Sequence, residues 1–163
     1  MSDLVPGDFH QHYFRSATAV MRPLTGDVMY AYVNLDPSYP PSEVMLQWYF
    51  IDENGNESWE HRAYSGDNAL AWGVNGTASR HYMGPLPTAG QWVRLEVPAN
   101  VVGLEGKIVE GMAFTLYEGR AAWDRAGKIT PDMDGDGLPD SLGNAAFWQS
   151  YSKRGRRLRW RRL

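Results

Sequence analysis

Short runs of residues that suit β-strands, each bounded by turn-forming residues, constrain the fold of this chain most. In the clearest run, Gln91–Val97, aliphatic residues alternate with polar or aromatic ones. Side chains of a β-strand point alternately to its two faces, so this run predicts a strand with one face in a core. Seven similar runs are present: His10–Phe14, Ala17–Met21, Val28–Leu35, Val44–Ile51, Ser58–Tyr64, His81–Met83 and Met112–Tyr117. Their number and spacing predict an all-β fold, an antiparallel β-sandwich.

The length and composition fit one such domain followed by two shorter segments. A domain of roughly this size removes about 68–70% of its unfolded surface from water, so no covalent staple is needed. None of the 163 residues is cysteine, which excludes disulfides and cysteine nucleophiles. The composition changes after Lys128. We therefore expect a sandwich over residues 8–128, an acidic linker over 129–144 and a basic, disordered tail over 145–163.

The net charge of −3 conceals an uneven distribution of charge. Seven of the 16 basic residues lie in residues 153–163, which leaves nine basic against 19 acidic side chains in residues 1–152. Phosphate contacts need clustered Lys and Arg, so we expect neither specific nucleic-acid binding nor membrane binding by the body of the chain. The first residues lack a signal-peptide pattern, and no stretch is apolar enough to span a bilayer. A location outside the cell would require the chain to be part of a longer protein.

Several sequence strings, taken together, resemble a known type of module. They are Trp48–Phe50, Trp59–Tyr64, Arg80–Pro87, Gly90–Pro98, Gly111–Tyr117 and Gly119–Asp124. The chain resembles, over about residues 10–128, the non-catalytic β-sandwich modules of large secreted or surface proteins of bacteria, including those with Rhs-type repeats. This resemblance implies a jelly-roll of the carbohydrate-binding or galactose-binding-like kind, at the cell surface or outside the cell, with neighbouring modules as partners. The chain departs from the type in lacking a Trp-bearing segment ahead of His10 and in having Ser65 where a Trp is usual.

A polysaccharide site is predicted from aromatic and planar polar residues that strand alternation assigns to one face. Pyranose rings stack on aromatic side chains, and their hydroxyl groups bond to Arg, Glu, Gln and Asn. The predicted site consists of Tyr49, Glu60, Arg62, Tyr64, Trp92, Arg94 and Tyr117, with Gln47 beside them and Trp72 on a loop at the edge. Alternatively, the rings fill a second packing layer under a loop, and the module is a structural or adhesion spacer without a sugar site.

An aspartate-rich stretch in the linker predicts a calcium site. Its candidate ligands are Asp132, Asp134, Asp136 and Asp140, and a glycine follows the third of them. Alternate carboxylates around one turn suit a hard cation, and the stretch is similar to the calcium repeats of thrombospondin type-3 and dockerin-like kinds. Position 12 of the loop is Gly143 rather than a bidentate acid, which should weaken the site. The alternative is a solvated acidic linker.

Other chemistry finds less support in the sequence. His10 and His12 lie two apart on a predicted strand and could chelate a transition metal, but an ordinary pair on a sheet surface is favoured because no third ligand lies nearby. Glu60, Glu96 and Asp124 could be nominated for glycoside hydrolysis, whose carboxylate separation a sequence cannot measure. No nucleophile elbow, zinc-protease helix or phosphate-binding glycine loop is present. We therefore do not expect an enzyme.

Overall fold

The chain folds into two β-sheets packed face to face. The computed structural model describes residues 1–4, 6–52 and 54–131, together with the backbone of residues 147 and 148. Its strands are β1 (Phe9–Phe14), β2 (Val28–Leu35), β3 (Glu43–Ile51), β4 (Glu57–Ser58), β5 (Arg62–Gly66), β6 (His81–Tyr82), β7 (Trp92–Pro98), β8 (Val109–Tyr117), β9 (Ala121–Ile129) and β10 (Phe147–Trp148). The described residues contain no helix, so none of them forms a helix able to cross a membrane.

The strand order separates the chain into a larger and a smaller sheet. The first sheet has the order β1-β8-β3-β5-β6, and β4 pairs with the end of β3. The second sheet has the order β10-β9-β2-β7. The strand pairs in both sheets are antiparallel except for the short parallel pair β5–β6. The predicted all-β antiparallel sandwich is confirmed, whereas the finer expectation of a jelly-roll stays a prediction.

The hydrophobic core lies between the two sheets. Leu46 and Trp48 enter it from β3, and Met29 and Val33 enter it from β2, with none of the four more than 1% exposed. Along β7 the predicted alternation holds, since Val97 is buried and the residues flanking it in the strand are exposed. Burial of a large apolar side chain stabilises a fold by about 1.5–3 kcal/mol, so these inner faces supply most of the driving force.

Strand β9 was not predicted from the sequence, and a β-bulge explains why. Ala31 and Tyr32 of β2 pair with Ala126 and Asp124, so Arg125 is an extra residue, and its φ is 34°. A bulge shifts the side-chain alternation by one residue, which removes the period of two that identifies a strand. Two predicted strands also differ from the structure. The run Ser58–Tyr64 is divided between β4 and β5. The run Ala17–Met21 forms an isolated bridge at Met21 instead of a strand.

A buried ionic network joins the start of β2 to the end of β9. The Nζ of Lys128 donates to Oδ2 of Asp27 at 2.5 Å, and the backbone N–H of Leu24 donates to the same oxygen at 2.8 Å. The hydroxyl of Thr130 donates to Oδ1 of Asp27. The network therefore ties the neighbouring strands β2 and β9 together at one end of the second sheet. The predicted acidic linker and basic tail lie mostly outside the described residues.

Candidate functional site

The structure divides the predicted sugar-binding residues between the two sheets. Tyr49, Glu60, Arg62, Tyr64, Trp72 and Tyr117 belong to the first sheet or to the loops around it, whereas Trp92 and Arg94 lie on β7 of the second sheet. The expectation that all of them share one face is therefore wrong for Trp92 and Arg94. Alternation assigns a side chain to a face of its own strand, but it does not determine which sheet that strand joins.

Three of the predicted residues on the first sheet are covered. Tyr49, Tyr64 and Arg62 are only 1%, 4% and 7% exposed, although they lie on the sheet face that points away from the core. Burial raises the pKa of Tyr49. A loop of residues 67–80, called here the 67–80 loop, packs through Leu70 and Trp72 against Tyr64 and forms a small second cluster. These covered side chains cannot serve as the main contacts of a ligand.

The 67–80 loop is anchored by buried polar groups. The carboxylate of Glu43 accepts hydrogen bonds from the backbone N–H groups of Ala69 and Leu70 at 2.7 and 2.9 Å. Arg80, at the end of the loop, forms an ion pair with the same carboxylate, and its guanidinium lies 4.1 Å from the centre of the Tyr64 ring. Burial raises the pKa of Glu43, and the bonds from Leu70, Arg80 and Ala69 limit that rise. The loop is thus held in one position over the sheet.

A hydrogen-bonded row of polar side chains crosses the outer face of the first sheet. Gln11 and Gln47 each donate through Nε2 to Oγ1 of Thr115, at 2.9 Å. Arg62 donates through Nε to Oε1 of Gln47 at 2.8 Å and forms a bidentate pair with Glu60. The hydrogen bonds from Arg62 lower the pKa of Glu60. The middle of this row is buried, while Gln11 is half-buried and the Glu60 side chain is 61% exposed.

One exposed part of this face is a stripe along β1, formed by Phe9, Gln11 and Tyr13 and called here the β1 stripe. Phe9 is 43% and Tyr13 59% exposed, and Gln11 lies between them. At about 3.3 Å per residue, the two rings are separated by roughly 13 Å along the strand. Trp72 meets the Phe9 ring edge to face at 4.9 Å, and Trp59 meets the Tyr13 ring at 6.0 Å. The surface therefore presents two supported aromatic rings with an amide between them.

The covered residues of the predicted site support the exposed ones. Tyr49 packs against Trp59, with ring centres 5.0 Å apart, and Trp59 in turn contacts Tyr13. Tyr64 belongs to the cluster against which Trp72 and the half-buried Tyr117 pack. The sequence reasoning missed the β1 stripe itself. Its alternation is visible in the sequence, but nothing local indicates that β1 pairs with β8 beside the aromatic loops.

The outer face of the second sheet carries a separate aromatic and polar surface. Trp92 is 50% exposed, and Arg94 and Glu96 form an exposed ion pair beside it. Tyr30 and Tyr32 of the neighbouring strand meet edge to face at 6.1 Å. Trp92 and Arg94 therefore face solvent as predicted, but on the opposite side of the sandwich from the β1 stripe.

A cavity of about 170 Å³ lies at the edge of the sandwich between β5 and β7. Aliphatic and proline side chains form much of its lining, and Ser65, Arg94 and Glu96 add polar groups. Pockets that hold small molecules usually measure about 300–1,000 Å³. A sugar chain would accordingly contact an open sheet face rather than this cavity.

The described residues contain no group of three or more His, Asp or Glu side chains placed to hold a metal ion. The predicted calcium ligands Asp132, Asp134, Asp136 and Asp140 lie outside those residues. The calcium site therefore stays a prediction from the sequence. Comparisons with protein-family models, with curated proteins and with solved structures found no match for this chain.

Proposed function

We propose that this chain is a non-catalytic carbohydrate-binding module that holds a polysaccharide along the β1 stripe. The observation that carries the proposal is the pair of exposed rings, Phe9 and Tyr13, with the Gln11 amide between them on one strand. Aromatic rings offer flat apolar faces to the C–H groups of pyranose rings, and amides offer both donors and acceptors to hydroxyl groups.

The stripe and the polar row that begins at Gln11 together supply polar contacts for a sugar. Gln11 uses one N–H for its bond to Thr115, and a primary amide has a further N–H and a carbonyl oxygen. Glu60, at the far end of the polar row, is exposed and is kept ionised by Arg62. Both groups are held by hydrogen bonds before a ligand arrives, which lowers the entropy cost of binding.

The proposed setting is a larger protein at the cell surface or outside the cell, with neighbouring modules on the same chain. A shallow stripe with two rings offers weak binding by itself. Several linked modules raise the effective concentration of the second binding event, so weak sites together bind a polymer firmly. The calcium ion proposed for the linker would be a structural ligand in that setting.

One observation favours a second candidate function, that of a structural or adhesion spacer without a sugar site. Two of the aromatic residues assigned to the face are buried: Tyr64 lies under the 67–80 loop, and Tyr49 packs against Trp59. They form a second packing layer, which is what a spacer would need for rigidity. The two candidates differ in whether the β1 stripe binds sugar.

Affinity electrophoresis through gels that contain β-glucan, xylan, mannan or galactan distinguishes the candidates. We expect one glycan class to retard the protein, and we expect Tyr13→Ala and Phe9→Ala to abolish the retardation. Trp92→Ala is the matched control, because Trp92 is similarly exposed on the opposite sheet. Unretarded migration of the folded protein in every gel would support the spacer. Loss of retardation with Trp92→Ala alone would move the site to the second sheet.

A further inference from the structure

The side of β1 opposite to the stripe carries two histidines. His10 and His12 pair in register with the core residues Leu116 and Phe114, so they point towards the space between the sheets. β1 is the outermost strand of the first sheet, so this side opens at the edge of the sandwich. The two imidazole rings have their centres 4.6 Å apart, with an angle of 84° between their planes.

The surroundings of the two rings leave one nitrogen atom of His10 without a partner among the described residues. The buried Nδ1 of His10 has no hydrogen-bond partner among the residues that the structure describes. Ser2 donates its backbone N–H to the carbonyl of Ala121 at 2.8 Å, which brings the N-terminal residues to the same edge.

The separation of the ring centres lies within the range that a chelating pair requires. Imidazole nitrogen binds divalent transition metals at about 2.0–2.1 Å, so two such bonds at a right angle place the ring centres roughly 4.5–5 Å apart. Nearly perpendicular bonds between neighbouring ligands are the geometry of square-planar and tetragonal sites, which Cu²⁺ and Ni²⁺ prefer. His12 is exposed, so water can reach its side of the pair and complete the coordination.

We propose that His10 and His12 form a binding site for a late first-row divalent transition metal, with Cu²⁺ bound most tightly. The two imidazoles supply two neighbouring ligands, and water supplies the others. The order of affinity follows the general trend for nitrogen sites, in which Cu²⁺ exceeds Ni²⁺ and Zn²⁺. The site is independent of the proposed sugar surface, since it lies on the other side of β1.

Copper titration of the full chain tests the site. Excess Ca²⁺ is present throughout to occupy the aspartates of the linker. We expect one equivalent of Cu²⁺ whose electron paramagnetic resonance spectrum shows coupling to two nitrogen nuclei. His10→Gln and His12→Gln should each weaken binding at least tenfold in isothermal titration calorimetry.

The matched control is His81→Gln, because His81 lies on β6, which is at the opposite end of the strand order from β1 in the described first sheet. This variant should bind copper as the unchanged chain does. Affinity that is unchanged in both His10→Gln and His12→Gln, or a spectrum without two coupled nitrogens, would overturn the proposal. His12 is exposed, so at least His12→Gln is expected to fold, and a thermal melt checks this.

Discussion

The Nη2 of Arg80 and the Oε1 of Glu43 form an ion pair at 3.0 Å, with side chains only 2% and 0% exposed. Glu43 begins β3 in the middle of the first sheet, whereas Arg80 ends the loop that covers Tyr64 and carries Trp72. The pair therefore connects the central strand to the loop that supports one end of the β1 stripe.

Removing one partner of this pair should destabilise the protein strongly. Arg80→Ala leaves the buried carboxylate of Glu43 without its cation, and breaking a buried ion pair in this way costs about 3–5 kcal/mol. The control is Arg15→Ala, which breaks the exposed pair with Glu57 and should cost about 0–1 kcal/mol. Urea unfolding measures both losses. Equal losses in the two variants would contradict the argument.

Two glycines of the 67–80 loop should respond differently to alanine. Both Gly73 and Gly76 have positive φ, at 78° and 84°, so each substitution introduces backbone strain of about 1–2 kcal/mol. A Cβ at Gly73 would also collide with the backbone carbonyl of Ser79, whereas a Cβ at Gly76 meets nothing. Gly73→Ala should be at least ~1 kcal/mol less stable than Gly76→Ala, as measured by urea unfolding.

The same pair of variants tests the role of the loop in binding. Gly73 follows Trp72 directly, so displacing it should move the Trp72 ring away from Phe9. For a glycan that retards the unchanged protein, Gly73→Ala should weaken retardation and Gly76→Ala should not. The Gly73→Ala protein could lose stability and still be retarded as strongly as the unchanged protein. That result would show that Trp72 does not support the sugar surface.

The network around Asp27 should make the stability depend on pH. Burial alone would raise the pKa of Asp27, but hydrogen bonds from Lys128, Thr130 and Leu24 outweigh it, so the pKa is lowered. An aspartate with a lowered pKa adds stability above its unfolded pKa of 3.8 and loses it as the pH falls towards the folded pKa. The stability difference between the unchanged protein and Asp27→Asn should therefore shrink below pH 3.8.

Urea unfolding at a series of pH values measures that difference. Lys128→Met removes the cationic donor and should reduce the same pH dependence, because the carboxylate then keeps only its neutral partners. A difference between the unchanged protein and Asp27→Asn that stays constant from neutral pH to below pH 3.8 would contradict the prediction.

The aspartates of the linker should bind calcium weakly. With Gly143 in place of the bidentate acid, we expect a dissociation constant on the order of 10⁻⁴–10⁻³ M, the range of extracellular calcium modules. Isothermal titration calorimetry with Ca²⁺ should detect this binding, and Asp134→Ala should abolish it. Asp124→Ala is the control, since Asp124 lies on β9. Equal calcium binding in both variants would place the ion elsewhere.

The sequence predicted those parts of the fold that depend on local alternation. β7 is the best example, because its exposed and covered residues alternate without interruption until Val97. In β9 the residues that enter the core are Ala121, Trp123 and Ala126, and the change from an interval of two to an interval of three marks the bulge at Arg125. The sequence of β9 therefore lacks the strict period of two that identifies a strand.

The candidate site was harder to predict because it depends on contacts between distant residues. Strand alternation in the sequence correctly assigned Gln47, Glu60 and Arg62 to one face of the first sheet, with Trp72 on a loop at its edge. The sheet that contains Trp92 is decided by the pairing of β7 with β2, some sixty residues away in the chain. Likewise, the covering of Tyr64 depends on the buried bond between Glu43 and Arg80, which no local pattern reveals.

The pairing of β1 with β8 has a consequence for how the chain acquires its structure. Gln11 and Thr115, which bond across this pair, are 104 residues apart, and β2 likewise finds its neighbours only when β7 and β9 are made. Contacts this distant in sequence slow folding, because the entropy cost of closing a long loop comes before the strands gain any stabilising contact. On the ribosome, β2 must wait without a neighbour until β7 emerges, and β3 must wait with one unpaired edge until β8 emerges. We therefore expect slow folding after synthesis and a need for protection from aggregation during that interval.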